Sequence, residues 1–372
     1  MRFKMTEHNT SKFCKTCILP EGFIDLTLDP SGECDFCKDP SYENVNYSKK
    51  VIPHALREEK LKDWKNTIRE LQGHSSEDYD CLLGYSGGKD STALLDMLLN
   101  ELGLSPFLLT IDTGLMADVA KENIKKTLKK LDYEGHHLFI NYAIPTFLKL
   151  YSYLFRHHNS EKVLLTKRIC DCCSDLLHSI MVKESMKRNI RLIILGYSSD
   201  QIKRYFYEIP QEEILNEWMP EFLSEEFFDD EDRASYLKEE QFNHRIIPRI
   251  ILPYHVLPYN EEKIINSVVE KALIEKGKTN PVLTNCHTVK AAIMFDYYKY
   301  GWISYSLQYA ELVRQVKDEK ERKKARKKWL RLCKSLARGI ESGRFNRQGL
   351  SLFLKKTSLS KKDIFQHSQE GF

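Results

Sequence analysis

A chain of 372 residues with 42% hydrophobic and 30% charged side chains is long enough for two or three domains, and neither disordered nor collagen-like. Its net charge of +4 is too small to mark a dedicated nucleic-acid binder. No apolar run approaches the length of a membrane span, and MRFKMTEHNTSKFCK lacks the apolar stretch of a secretory signal; a cytoplasmic protein without membrane contact is expected. There thiols stay reduced, so the ten cysteines point to metal or sulfur chemistry instead of disulfides.

Residues 1–45 are rich in Cys, Gly, Pro and Asp, with little helical periodicity. Cys14-x2-Cys17, sixteen residues, then Cys34-x2-Cys37 is the spacing of a closed tetrahedral zinc site, which predicts a structural zinc-ribbon-like module. Residues 46–78 form a linker. Within it Leu61, Trp64, Ile68 and Leu71 recur on one face of a helix over 58–72.

From 79 to 310 short apolar runs alternate with helical patterns. Strands are expected at 81–85, 107–112, 137–141 and 192–197, a further strand begins near 249, and helices are expected at 91–102 and 117–131. Continuous apolar strands separated by helices predict an α/β domain with a doubly wound parallel sheet, covered on both faces. Between the first strand and its helix lies Ser86-Gly87-Gly88-Lys89-Asp90-Ser91. Two glycines free the backbone for positive φ, the helix N-terminus adds partial positive charge, and Lys89 adds a full one. The turn is an anion cradle suited to pyrophosphate. A Walker A loop is excluded, because Leu83 stands where its first glycine belongs and Asp90 where Ser or Thr follows the lysine. Gly84-Tyr85-Ser86-Gly87-Gly88 satisfies the nucleophile-elbow pattern, but a hydrolase has no use for the Lys-Asp-Ser that follows.

Further along, Cys170 and Cys173 form a second C-x-x-C at the expected start of a helix, where the dipole favours thiolates. Cys286 lies in a Thr-Asn-Cys turn. Three readings stay open for this trio: an iron–sulfur site, a redox or persulfide-carrying pair, and buried thiols. Cys81 and Cys333 read as plain core or surface residues. An acidic, aromatic-rich stretch at 211–241 reads as a solvated helical insertion, with a lid or partner-docking arm as the sharper alternative. The region 311–372 is a basic helical addition whose mixed signs and apolar Trp329, Leu330 and Leu332 indicate a solvated face, with a phosphate or nucleic-acid contact as the sharper alternative.

The string SGGKDS resembles the PP-loop of the N-type ATP pyrophosphatases, whose fold is that of the adenine nucleotide alpha hydrolases. That resemblance implies cleavage of ATP between its α and β phosphates, with AMP passed to a substrate oxygen. It implies ATP contacts at Tyr85, Ser86, Gly87, Gly88, Lys89, Asp90 and Ser91, with Mg2+ spreading the pyrophosphate charge; Lys89 and Asp90 would be catalytic. It extends to Asp112 at the end of the second strand, and to Gly196 and Asp200 at the end of the fourth. PP-loop thiolases carry G-H-N-x-D-D at that fourth strand, where this chain has Gly196-Tyr197-Ser198-Ser199-Asp200-Gln201. In those thiolases a C-x-x-C plus one later cysteine holds a 4Fe–4S cluster, which is what Cys170, Cys173 and Cys286 are similar to in type and order.

The segment FCKTCILPEGFIDLTLDPSGECDFCK resembles the N-terminus of the N-acetyl sugar amidotransferases of surface-polysaccharide (lipopolysaccharide) biosynthesis. The likeness continues through SGGKDS, LPYNEEKI at 257–264, and TNC with the later KYG at 299–301, from about residue 12 to 315. It implies an ATP-dependent amidotransferase acting on an N-acetylated nucleotide sugar, with ammonia from a separate glutaminase subunit. The cysteine trio implies the alternative, a sulfurtransferase acting on a tRNA or a small molecule with a sulfur donor. A non-catalytic nucleotide- or RNA-binding protein is the third class, disfavoured by the intact Lys89-Asp90-Ser91.

Overall fold

The computed structural model describes residues 12–39, 42–48, 52–72, 79–158, 163–198, 205–216, 219–238, 241, 246–280, 284 and 286–365. They fall into two compact units. One is drawn from Ile52–Leu150 and Asp171–Cys286, the other from Met1–Val51, Tyr151–Cys170 and His287–Phe372.

The first unit is built on five parallel strands: β1 (Cys81–Gly84), β2 (Pro106–Ile111), β3 (His137–Ile140), β4 (Leu192–Leu195) and β5 (Arg249–Ile251). Their order across the sheet is β3-β2-β1-β4-β5. Leu82 of β1 is registered with Phe107 on one side and Ile193 on the other. The order reverses between β1 and β4, as in a doubly wound sheet, and every residue of β2 and β4 is buried. Burial on both faces explains why these strands read as unbroken apolar runs rather than alternating ones.

Helices α1 (His54–Gln72), α2 (Lys89–Asp96) and α3 (Asp118–Leu131) contribute to one core. Trp64 and Ile68 of α1, Leu94 of α2, and Ile124 and Leu128 of α3 pack with Leu83, Leu108, Ile194 and Ile251 of the strands. Residues Met97–Glu101 continue α2 as a π-helical turn. The acidic insertion is more than solvated helix. It holds short helices at Gln211–Asn216 and Asp230–Ser235, the second closed by an Asp229/Asp232 capping box, and it buries Phe228 and Tyr236. Lys149 pairs with Asp229 and Asp232, which anchors the insertion.

Helix α4 spans Ile144–Arg156 and α5 spans Leu165–Lys187. The start of α5 corrects a sequence expectation. Cys170 and Cys173 do not open a helix; they lie more than one turn inside it. The reason is a tertiary cap. Asp296, fully buried, accepts the backbone N–H groups of Leu165 (2.8 Å) and Thr166 (3.0 Å), so a carboxylate distant in sequence serves where a local N-cap would. Burial pushes the pKa of that carboxyl up to about 6.

The second unit is helical beyond Asp296, which sits on α6 (His287–Tyr300). It continues with α7 (Ser306–Arg314), α8 (Glu319–Glu341) and α9 (Arg347–Thr357). Trp329 of α8 stacks on Tyr309 of α7 at 4.5 Å, and Cys333, Leu336 and Ile340 complete the buried stripe of α8. Among the described residues no helix is long and apolar enough to cross a membrane.

Candidate functional site

Ligands of doubly wound sheets bind in the crevice beyond the strands' carboxyl ends, where the order reverses. In this chain that point lies between β1 and β4, and the Ser86–Ser91 turn leaves β1 there. Thr110 at the end of β2 steadies the turn by donating its hydroxyl to the Tyr85 carbonyl (2.5 Å). His137 Nε2 lies 2.8 Å from the same Thr110 oxygen. With the Thr110 proton committed to Tyr85, the imidazole donates, and burial holds it neutral by lowering its pKa to about 4.

Of the two glycines, only Gly87 takes positive φ, at +71°. Gly88 is extended (φ −81°, ψ 164°) and serves as the N-cap of α2 without a side-chain bond, which corrects the expectation that both glycines turn the chain. Gly87 is doubly constrained, since a Cβ there would stand 2.4 Å from the Ala120 carbonyl oxygen of α3. Asn123, also on α3, donates to the Gly87 carbonyl at 3.0 Å. Gly87→Ala is therefore expected to displace the loop from α3 and to cost about 2–3 kcal/mol of stability, from strained φ plus the clash, measured by urea unfolding beside Gly88→Ala, which should change stability far less.

Inside the turn the Ser86 and Ser91 hydroxyls are 3.1 Å apart, and the Gly88 N–H points at Ser86 Oγ (3.4 Å). Opposite lies Gly196, where a Cβ would come within 3.1 Å of the Ser91 backbone. That contact lets the end of β4 close on the start of α2. Asp200 lies outside the described residues. Asp112 is 5% exposed, accepts the Gly114 N–H at 2.8 Å and pairs with Lys121 at 2.7 Å, so both its carboxylate oxygens have partners.

The charged part of the site is a buried clamp. The Lys89 ammonium, 5% exposed, lies 2.7 Å from Asp90 Oδ2, 3.7 Å from Glu261 Oε1 and 3.2 Å from the Tyr259 hydroxyl. Tyr259 in turn donates to Asp90 Oδ1 at 2.9 Å, and Tyr254 donates to the Asp90 carbonyl at 3.3 Å. Tyr254, Tyr259 and Glu261 belong to this clamp although no local sequence pattern assigns them a site role. The Glu261–Glu262 pair reads as acids at a helix N-terminus, and Glu261 does begin a helix whose N-cap is Asn260. Only the folding of that helix beside the turn brings the Glu261 carboxylate to Lys89. Asp90 and Glu261 both bring carboxylate oxygens, donors of the kind Mg2+ takes, beside the Lys89 ammonium.

In the other unit the early cysteines form one cluster. The Sγ atoms of Cys14, Cys17, Cys34 and Cys37 all lie within 4.8 Å of one another. Cys14–Cys37 is 3.8 Å and Cys17–Cys34 is 3.6 Å. Tetrahedral zinc with Zn–S near 2.3 Å requires sulfurs about 3.8 Å apart, so the four thiols fit such an ion. The N–H groups of Cys17 and Cys34 point at Cys14 Sγ, both at 3.4 Å. Arg326 of α8 donates to the carbonyls of Cys14 and Cys17, each at 2.6 Å.

No other group of three or more His, Cys, Asp or Glu side chains among the described residues meets that spacing. Cys170, Cys173 and Cys286 are each half-buried. Cys170 and Cys173 stand one turn apart on α5, and Cys286 immediately precedes α6. Cys81 and Cys333 are buried core residues, and burial pushes the Cys333 thiol up to about 12.

No protein-family model matches the chain, and no curated protein matches it either. Among solved structures it is similar to the U34-tRNA thiolase NcsA from Methanococcus maripaludis, solved with its 4Fe–4S cluster. The two share 15% identity with a TM-score of 0.36, over 80% of this chain and 88% of that one.

Proposed function

We propose that this protein is an AMP-forming, ATP-dependent enzyme of the PP-loop type. The observation that carries the reading is the Ser86–Ser91 turn, set at the reversal of strand order with the Lys89 ammonium held beside it by Asp90, Tyr259 and Glu261. Such a turn binds the β and γ phosphates through backbone N–H groups, hydroxyls and Lys89, which leaves the α-phosphorus open to an incoming oxygen. An acceptor carbonyl oxygen attacks that phosphorus, the bond to the β-phosphate breaks, and pyrophosphate departs against the positive end of α2. A nucleophile then attacks the activated carbon, and AMP leaves. Bound Mg2+ would be held by Asp90 and Glu261 and would spread charge on the leaving pyrophosphate. Zinc would be held by Cys14, Cys17, Cys34 and Cys37 as a structural ion with no open position.

For the nucleophile, the half-buried thiols Cys170, Cys173 and Cys286 support sulfur, delivered to a tRNA base or a small molecule. The second reading is ammonia, supplied by a glutaminase to an N-acetylated nucleotide sugar; the sequence likeness to the N-acetyl sugar amidotransferases supports it.

The test begins with product analysis of labelled ATP. AMP and pyrophosphate in equal amounts are expected, whereas ADP and phosphate would refute the PP-loop reading. Purification without oxygen then separates the nucleophiles. Brown protein whose colour and acid-labile sulfide vanish in Cys170→Ala and Cys286→Ala supports sulfur. Colourless protein that consumes ammonia with an N-acetylated nucleotide sugar supports nitrogen.

A further inference from the structure

Between Arg322 and Arg338 the chain carries nine cations and no acid, and without them 48 basic residues face 53 acidic ones. The mildly basic balance of the whole protein is thus the property of one helix. Seven of the nine are exposed. They face away from the apolar stripe of Trp329, Cys333, Leu336 and Ile340, which is already buried. An amphipathic helix that has spent its apolar face on a core cannot insert that face into a bilayer.

These cations border a groove of about 440 Å³ lined by Lys15 from the four-cysteine module and by Lys323, Arg326, Lys327, Leu330, Arg331 and Lys334 from α8. Among the described residues no carboxylate lines it. Arg326 is engaged with the knuckle carbonyls, so the module and the helix are fixed to each other and the cations share one rigid surface. From Lys323 to Arg338 the helix rises about 22 Å, so its seven exposed cations, of which Lys323 and Lys324 pair with Glu319 and Glu321, follow one another roughly every 4 Å along the axis. A nucleic-acid strand carries a phosphate about every 3.4 Å of helix axis. A single phosphate or a nucleotide diphosphate would occupy only a fraction of that length.

We propose that the outer face of α8, with Lys15, is a docking surface for a nucleic-acid phosphate backbone, read by charge and shape and not by base sequence. This goes beyond the ATP chemistry above, since it needs neither ATP nor an acceptor.

The test is fluorescence anisotropy of the full-length protein, without ATP, on a labelled 20-base-pair RNA hairpin and the DNA duplex of the same sequence, across a KCl series. The triple variant Lys327→Glu/Arg331→Glu/Lys334→Glu is expected to bind about 30-fold more weakly near 100 mM salt and to flatten the log–log salt slope by about 2–3. The milder Lys327→Ala/Arg331→Ala should fall between, with metal content and melting temperature kept. Lys129→Glu/Lys130→Glu on α3 should bind as the wild type does. Tighter binding of the hairpin assigns the surface to RNA, and tighter binding of the duplex assigns it to DNA. The proposal fails if wild type shows no salt-dependent binding, if the triple variant binds unchanged, or if polyglutamate of matched charge displaces the probe better than unlabelled RNA, which would indicate an acidic protein partner. Any of these failures leaves the formation of AMP untouched.

Discussion

Replacing Lys89 with alanine is expected to lower kcat/KM for conversion of ATP to AMP and pyrophosphate by about 10³-fold, while the fold survives. In the proposed reaction Lys89 supplies the turn's full positive charge against the leaving pyrophosphate, and its ammonium is already oriented by Asp90, Tyr259 and Glu261. A pre-oriented charge in a site screened from water typically contributes about 10²–10³ per group. The loss should appear mainly in kcat, because the backbone N–H groups of the turn still bind the ground-state triphosphate. Lys89→Arg keeps the charge but cannot sit in a clamp shaped for a compact ammonium, so it should recover only part of the rate. Tyr259→Phe removes one hydroxyl that bridges Lys89 and Asp90 and should cost about tenfold, a typical penalty for a lost hydrogen bond to a charged group. Steady-state kinetics on all three, with thermal melts, checks the ranking. Equal activity of Lys89→Ala and wild type would remove the turn from the chemistry.

The second large effect concerns the four-cysteine cluster. One zinc per chain is expected by elemental analysis, and its removal by a chelator should unfold the segment 12–39. A loop-dominated module of this length buries too little apolar surface to order itself, and structural zinc in comparable modules contributes about 10–16 kcal/mol of apparent binding free energy. Cys14→Ser should be the most damaging single change, because Cys14 Sγ also accepts two backbone N–H groups while its carbonyl holds Arg326. Hydrogen exchange should show protection lost across 12–39 and along the Arg326 turn of α8, with the β1–β5 sheet unaffected. Unchanged exchange in a metal-free protein would overturn the structural assignment.

The sheet was legible because its strands are buried on both faces. Leu82, Leu83, Leu108, Leu109, Ile193 and Ile194 are apolar without alternation, and helical crossovers between them leave few topologies open. The four-cysteine cluster was legible because its members sit in two local pairs. The start of α5 was not, since its cap is Asp296, more than a hundred residues downstream. The glycine pair predicts positive φ at two residues where the chain uses one, because Gly88 is extended as a helix N-cap and only Gly87 meets α3.

By itself, then, the chain's order of residues determined what depends on neighbours: strand and helix periods, the SGGKDS turn, and the two Cys-x2-Cys knuckles. Tertiary structure decided what depends on partners far along the chain. It brought Tyr259 and Glu261 to Lys89, set Gly196 against Ser91, and joined Lys15 to the cations of α8. Local motifs persist because backbone geometry repeats over a few residues. A charge clamp leaves no such period, since its members meet only after distant segments have packed.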